Sequence, residues 1–227
     1  MLTTTRPPKL ADVARGLDYM HSQGMVHGDL KGVRTVFEVG ALTFSTEFIR
    51  QANILVDQAC HARLADFGFL TTISDSTLNS STPDNGGTTR WMSPELLQGE
   101  TRNCRLTKLS DRYALGMVVY EVLSGHVPFH QFPTWSIFAK VIRGDRPERP
   151  QGVEGAWFAG GVWEILERCW AVEPENRPSA EEVLQCLEGV SGSWTPPPPS
   201  TNSLTSSTFE LTGMESTDVD DVVIIAS

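Results

Sequence analysis

Residues 24–32 read Gly-Met-Val-His-Gly-Asp-Leu-Lys-Gly, and residues 52–68 read Ala-Asn-Ile-Leu-Val-Asp-Gln-Ala-Cys-His-Ala-Arg-Leu-Ala-Asp-Phe-Gly. Just before the first stretch, Leu10, Val13, Ala14, Leu17 and Met20 recur at helical spacing and form one apolar face. Gly24 then stops that helix. The second stretch holds two short strand-like runs, Ile54 to Val56 and Ala62 to Ala65, with a turn near Gln58–His61. Asp29 and Lys31 therefore follow a helix, Asn53 opens a hairpin, and Asp66-Phe67-Gly68 closes it.

Further along, Asp111 to Leu123 predicts a helix that is apolar nearly all round: Ala114, Leu115, Met117, Val118, Val119, Tyr120, Val122 and Leu123. A helix without a polar face belongs inside a protein. Ser110 or Asp111 suits its N-cap, and Gly125 follows its end. A last helix opens on a capping box, Ser179 with Glu182, and turns Val183, Leu184 and Leu187 inward. Cys169-Trp170 and Trp163 read as core packing. His21, His61, His126 and His130 show no partner pattern and receive no role. Helices dominate, with one small hairpin.

Phosphoryl transfer needs magnesium held between phosphates, a carboxylate beside the attacking hydroxyl, and a cation on the moving phosphoryl group. His27-Gly28-Asp29-Leu30-Lys31, Asn53, Asp66-Phe67-Gly68 and Gly87-Thr88-Thr89-Arg90-Trp91-Met92-Ser93-Pro94-Glu95 offer those groups in order. One triplet recurs by chance; four motifs in sequence at sensible spacing do not. Residues 10–190 resemble the protein kinase family. Arg90 to Glu95 is similar to the R-W-M-A-P-E of its tyrosine-kinase-like group.

The resemblance implies roles for named residues. Asp29 is the expected catalytic base, and Lys31 the contact to the transferred phosphate, favouring Ser/Thr over Tyr substrates. Asn53 and Asp66 are the implied Mg2+ ligands, and Leu55 lies beneath the adenine of ATP. Thr88 bonds the Asp29–Lys31 pair and helps form the peptide platform. Asp111 holds the backbone at His27–Gly28. Glu95 pairs with Arg177 of Glu175-Asn176-Arg177-Pro178. Phe67 and Gly68 complete their motif structurally. The partners implied are ATP and a protein substrate.

Three departures stand against that pattern. Gly28 occupies a position where many kinases carry the Arg that reads a phosphorylated activation loop. The residues preceding His27 contain no G-x-G-x-x-G loop, no strand Lys of the V-A-I-K type and no Glu partner helix. On this reading the N-terminal lobe is absent, and weak ATP affinity follows. Finally, the family places Asn five residues after Asp, whereas Asn53 lies 24 residues after Asp29.

The excess matches Val33 to Gln51, and without it the chain reads His-Gly-Asp-Leu-Lys-Gly-Ala-Asn-Ile-Leu-Val-Asp. A short intron read through in frame accounts for this. Val33-Arg34 can encode a GT donor, Leu42-Thr43 a CTNAC branch site, and Gln51 a CAG acceptor. A genuine insertion that loops out is the rival. Loop entropy does not forbid it, but Val36, Phe37, Val39, Phe44, Phe48 and Ile49 are unusually apolar for an exposed loop. Transcript reads joining Gly32 to Ala52 would identify an intron.

Composition limits the alternatives. The chain has 227 residues, a net charge of −10 and 40% hydrophobic content, which suits one domain plus a tail. Nothing resembles the basic stripe of a nucleic-acid binder, and no apolar run is long enough to span a membrane. Four cysteines without C-x-x-C pairing point to reduced thiols in a cytosolic or nuclear protein. Residues 191–227 are rich in Ser, Thr and Pro, carry five acids and no base, and read as a disordered tail. The Ser/Thr run from Thr71 to Thr89 reads equally as an autophosphorylated loop or a solvated one.

The expectation is thus a mainly α, protein-kinase-like C-lobe over residues 10–190, preceded by a remnant at 1–9 and containing the 33–51 segment. The complete gene product would phosphorylate Ser/Thr on proteins, with this chain inactive by itself. Against it stand a scaffold that presents the surfaces around Thr88–Glu95 and Phe129–Phe138, and a non-functional gene fragment.

Overall fold

The computed structural model describes residues 10–32, 34–35, 53–56, 61–66, 71–72, 88–98 and 105–191. Helix α1, Leu10–Ser22, buries the face that the sequence marks: Leu10, Val13, Ala14, Leu17 and Met20 are all 6% exposed or less. Gly24 leaves the helix at φ 75°, a left-handed turn that glycine makes without steric cost. Strand β1, Met25–Val26, follows.

Next comes a feature that the hairpin prediction did not contain. Strand β2, Arg34–Thr35, lies in the segment assigned to an insertion. It pairs in parallel with β3, Ile54–Val56, placing Arg34 opposite Leu55 and Thr35 opposite Val56. β3 pairs antiparallel with β4, Ala62–Leu64, giving the order β2-β3-β4. β5, Thr71–Thr72, returns antiparallel to β1 and makes a second, two-stranded sheet.

The helical mass begins with a 3-10 turn at Thr88–Arg90 and a short helix α2, Pro94–Leu97. Helix α3, Lys108–Ser124, is the predicted pillar, but it starts three residues earlier than the sequence suggests. Its N-cap is Thr107, not Ser110 or Asp111. Thr107 is extended, its hydroxyl accepts from the Ser110 amide, and the Ser110 hydroxyl returns the favour at the Thr107 amide. The cap therefore comes from Thr107, and Asp111 is released for other work. Gly125 ends the helix at φ 69°.

Helix α4, Thr134–Ile142, α5, Gly152–Gly155, α6, Val162–Cys169, and α7, Ala180–Ser191, complete the order. Tyr113, Leu115, Met117, Val118 and Val119 of α3 are fully buried. A Cβ on Gly116 would sit 2.6 Å from Cys169 Cβ and 2.8 Å from Trp170 Nε1, so glycine lets α3 and α6 approach closely. Trp170 meets Tyr120 and Trp163 edge-on, the arrangement that aromatic quadrupoles prefer. The Ser179–Glu182 capping box opens α7: the Glu182 amide donates to Ser179 Oγ at 3.1 Å, and Glu182 Oε2 accepts from the Ser179 amide at 2.7 Å. α1 packs on α7 and β4, with Arg15 bridging Asp12 and Glu188. The acidic tail expected beyond Ser191 lies outside the described residues. Among those residues, no helix is long and apolar enough to cross a membrane.

Candidate active site

The turn after β1 gathers the charged groups. Asp111 projects from the first turns of α3, and its Oδ2 accepts the His27 amide at 2.9 Å while its Oδ1 accepts the Gly28 amide at 2.9 Å. Oδ2 also meets His21 Nε2 at 2.9 Å. One buried carboxylate thus fixes two consecutive amides and the end of α1. Gly28 at φ 78° reverses the chain there, and His27 Nδ1 accepts from the Asp29 amide at 3.3 Å.

Asp29 emerges from this frame only 5% exposed. Its Oδ2 lies 2.7 Å from Lys31 Nζ and accepts from Asn53 Nδ2 at 2.9 Å. The same Asn53 nitrogen donates to the Asp29 carbonyl at 2.7 Å. Asp29 Oδ1 is buried and accepts no hydrogen bond from the described residues. Lys31 Nζ also donates to Thr88 Oγ1 at 3.1 Å. Four residues from three separate motifs form one buried polar cluster.

Asp29 and Asn53 are bonded although they lie 24 positions apart. The backbone closes the gap, since the Asn53 amide donates to the Lys31 carbonyl at 3.0 Å. On the far side the Ala65 amide donates to the Asn53 carbonyl at 2.8 Å, which brings Asp66 next to the site. Asp66 is exposed, with φ at 58°. That left-handed conformation is uncommon for a residue with a Cβ. Leu55 is half-buried on β3, opposite Arg63. Phe67 and Gly68 lie outside the described residues, as does most of the Ser/Thr run from Thr71 to Thr89.

Glu95 and Arg177 form a two-pronged pair: Nη1 to Oε1 at 2.6 Å and Nη2 to Oε2 at 2.8 Å. Arg177 also donates to the carbonyls of Ala171 and Leu109. Burial pushes the Glu95 carboxyl up, but the hydrogen bond and charge of Arg177 outweigh it and hold the group below its usual value. Removing one partner of such a pair strands the other charge, which typically costs about 3–5 kcal/mol.

Three contributors escaped the sequence reading. His21 sits one turn beyond Leu17 on the apolar face of α1, and a polar group on such a face signals a buried partner. Glu121 interrupts the apolar run of α3. It accepts from Trp91 Nε1 at 3.0 Å, and burial raises its carboxyl to about 8. Arg90 reads only as a member of its motif, without a role, because all its acceptors lie some forty residues away.

Residues 47–187 match the family described as protein tyrosine and serine/threonine kinase, a span of well over half the chain. The chain belongs to the protein kinase family. The kinase match takes in Asn53, Asp66, Thr88, Glu95, Asp111 and Arg177, and it begins inside the 33–51 segment, after Asp29 and Lys31. Similar proteins reach further. A probable serine/threonine-protein kinase of Dictyostelium discoideum is 30% identical over 78% of this chain and 11% of its own length. The serine/threonine/tyrosine-protein kinase HT1 of Arabidopsis thaliana is 29% identical over 78% of this chain and 38% of its own length. The dual specificity protein kinase pyk3 of Dictyostelium discoideum is 32% identical, covering 78% and 11% respectively. The chain thus spans well under half the length of these kinases.

Proposed function

We propose that this chain supplies the catalytic loop, the metal ligands and the peptide platform for ATP-dependent phosphorylation of Ser/Thr on proteins. The observation that carries this reading is the division of labour at Asp29. Its Oδ2 is occupied by Lys31 and Asn53, and its buried Oδ1 is left for a new donor. A buried carboxylate oxygen without a donor is costly, and a substrate hydroxyl satisfies it. Asp29 then orients that hydroxyl and takes its proton as the oxygen attacks. Lys31, held between Asp29 and Thr88, sets a cation against the charge on the transferred phosphoryl group.

Asn53 and Asp66 would hold Mg2+ bound with the nucleotide, and the ion supplies charge neutralisation across the phosphates. The donor set fits, since an amide oxygen and a carboxylate are the hard ligands that magnesium takes when phosphates complete its shell. No three His, Cys, Asp or Glu side chains converge to hold a metal by themselves among the described residues. An ion that arrives with phosphate does not need them. No G-x-G-x-x-G loop occurs in these 227 residues, so we expect weak ATP binding from them alone. Lys31 favours Ser/Thr acceptors, and a tyrosine peptide tests that choice.

The test is calorimetry of ATP binding with and without magnesium, alongside phosphoryl transfer to Ser, Thr and Tyr peptides at high ATP. Asn53→Ala and Asp66→Ala should abolish the magnesium-dependent part of binding. Asp29→Asn should lower any transfer by roughly 10²–10⁴-fold, the usual contribution of a positioned base. Magnesium-dependent binding that survives both ligand variants, or transfer indifferent to Asp29→Asn, would overturn the assignment.

A further inference from the structure

Arg90 makes four hydrogen bonds, three to one loop and one to the first residue of the helix that follows it. Its Nη1 donates to the carbonyls of Pro128 and Phe129, both at 2.8 Å. Its Nη2 donates to the Phe132 carbonyl at 3.0 Å and to Thr134 Oγ1 at 3.3 Å. That loop, residues 125–133, joins α3 to α4. Successive carbonyls of an extended strand point to opposite sides, so two of them reach one nitrogen only where the backbone is bent. Phe129 supplies the bend, with φ at 57° and a buried side chain. A bulky residue keeps that conformation only where its surroundings over-determine it, and a guanidinium bonded to its own carbonyl helps to do so.

The other end of Arg90 concerns the chemistry. It closes the 3-10 turn Thr88–Arg90, whose geometry is kept by the Trp91 amide donating to the Thr88 carbonyl at 3.0 Å. Thr88 Oγ1 accepts from Lys31 Nζ, and Lys31 pairs with Asp29. The Lys31 ammonium is thereby fixed from two directions, one a carboxylate and one the turn that Arg90 pins down.

We propose that Arg90 is a positioning residue: by clamping the 3-10 turn to the Pro128–Phe132 carbonyls and the start of α4, it sets Thr88 and so the place of the Lys31 ammonium beside Asp29. This rests on the kinase reading of Asp29 and Lys31. Arg90 touches no reacting group and acts through Thr88. The flat, forked guanidinium is needed because its acceptors diverge; a lysine ammonium is a point donor and holds fewer of them.

The experiment compares the full chain with Arg90→Lys, Arg90→Met, Thr88→Ala and the Arg90→Met/Thr88→Ala double variant. Two readouts require no catalysis: hydrogen exchange at the Trp91 amide, and the rate at which an acylating reagent labels Lys31. Arg90→Met should speed both, Arg90→Lys should fall between it and the parent, and the double variant should label no faster than Thr88→Ala. In peptide phosphorylation, Arg90→Met should lower kcat on the order of 10–100-fold, as a small misplacement of a catalytic group does, with KM for ATP unchanged. Unchanged Lys31 labelling in Arg90→Met, or additive effects in the double variant, overturns the proposal. Should Arg90→Met fail to fold, Arg90→Lys carries the same comparison, and parent-like labelling there counts against it. A parent chain without transfer activity counts against transfer by these residues alone, while the labelling and exchange data still decide the clamp.

Discussion

Among the described residues, Glu121 is a carboxyl that burial raises rather than lowers. Burial lifts its carboxyl to about 8, outweighing the hydrogen bond from Trp91 that favours the ionised form, so the folded protein keeps a proton that the unfolded chain releases near the ordinary carboxyl range. Below that range both states are protonated and pH has no effect through this group. Between it and about 8 only the folded state is protonated, so stability falls as pH rises, by about 1.4 kcal/mol per pH unit where the difference is one full proton. Above about 8 both states are ionised and the loss is complete. Glu121→Gln keeps an acceptor for Trp91 Nε1 and removes the titration. Urea denaturation from about pH 5 to pH 8 should therefore show the variant gaining on the parent, by roughly 2–4 kcal/mol over the range. A gap between the two that does not change with pH would mean that Glu121 is ionised in the fold.

The three-stranded sheet shows what an element can absorb. A parallel pair needs a crossover of about a dozen residues or more, and the eighteen residues between Thr35 and Ile54 supply that length. The hairpin β3–β4 was legible from its β-branched and alternating residues; its partner β2 was not, because two residues carry no periodicity. The same limit explains the cap of α3. Asp111 looks like a capping residue locally, and only the amides of His27 and Gly28, over eighty positions away, show why it does not cap. Of the motif residues, Asp29, Lys31, Asn53 and Thr88 lie in one polar cluster, and Asp111 bonds the His27 and Gly28 amides. Deleting Val33–Gln51 should then preserve the Asp29–Asn53 contact, which depends on the backbone bond from Asn53 to Lys31. It removes β2, so the β3 amides should exchange faster, while the shorter loop regains about 2 kcal/mol of closure entropy. Magnesium-dependent ATP binding should stay within a few-fold of the parent. Binding that strengthens by tenfold or more on deletion would show that the segment obstructs the site.

At the scale of the folded unit, position rather than residue type decides what an aromatic side chain is worth. Trp170 is 2% exposed and wedged between Tyr120, Trp163 and the close approach at Gly116; Trp135 is 83% exposed on the outer side of α4. The sequence separated them only in part. Trp170 follows Cys169 in a segment whose apolar residues agree on one face. In α4, by contrast, Ile137 and Val141 compete with Trp135 and Phe138, two apolar faces on one short helix. Packing buries the aliphatic pair and leaves the aromatic pair outside, Phe138 being 49% exposed. β-Branched Ile and Val fill the space beside the buried face of α4, whereas no local rule tells a nine-residue helix which of its apolar sides to turn inward. The energetic consequence is unequal. Trp170→Ala removes a fully packed ring and should cost about 3–5 kcal/mol, enough to consume much of the stability of a domain this size. Trp135→Ser exchanges one solvated side chain for another and should stay within about 0.5 kcal/mol of the parent. Equilibrium denaturation of both variants, with unfolding slopes compared to the parent, checks the pair together. A loss at Trp135 comparable to that at Trp170 would mean that the outer face of α4 is packed in solution against something the folded unit itself provides.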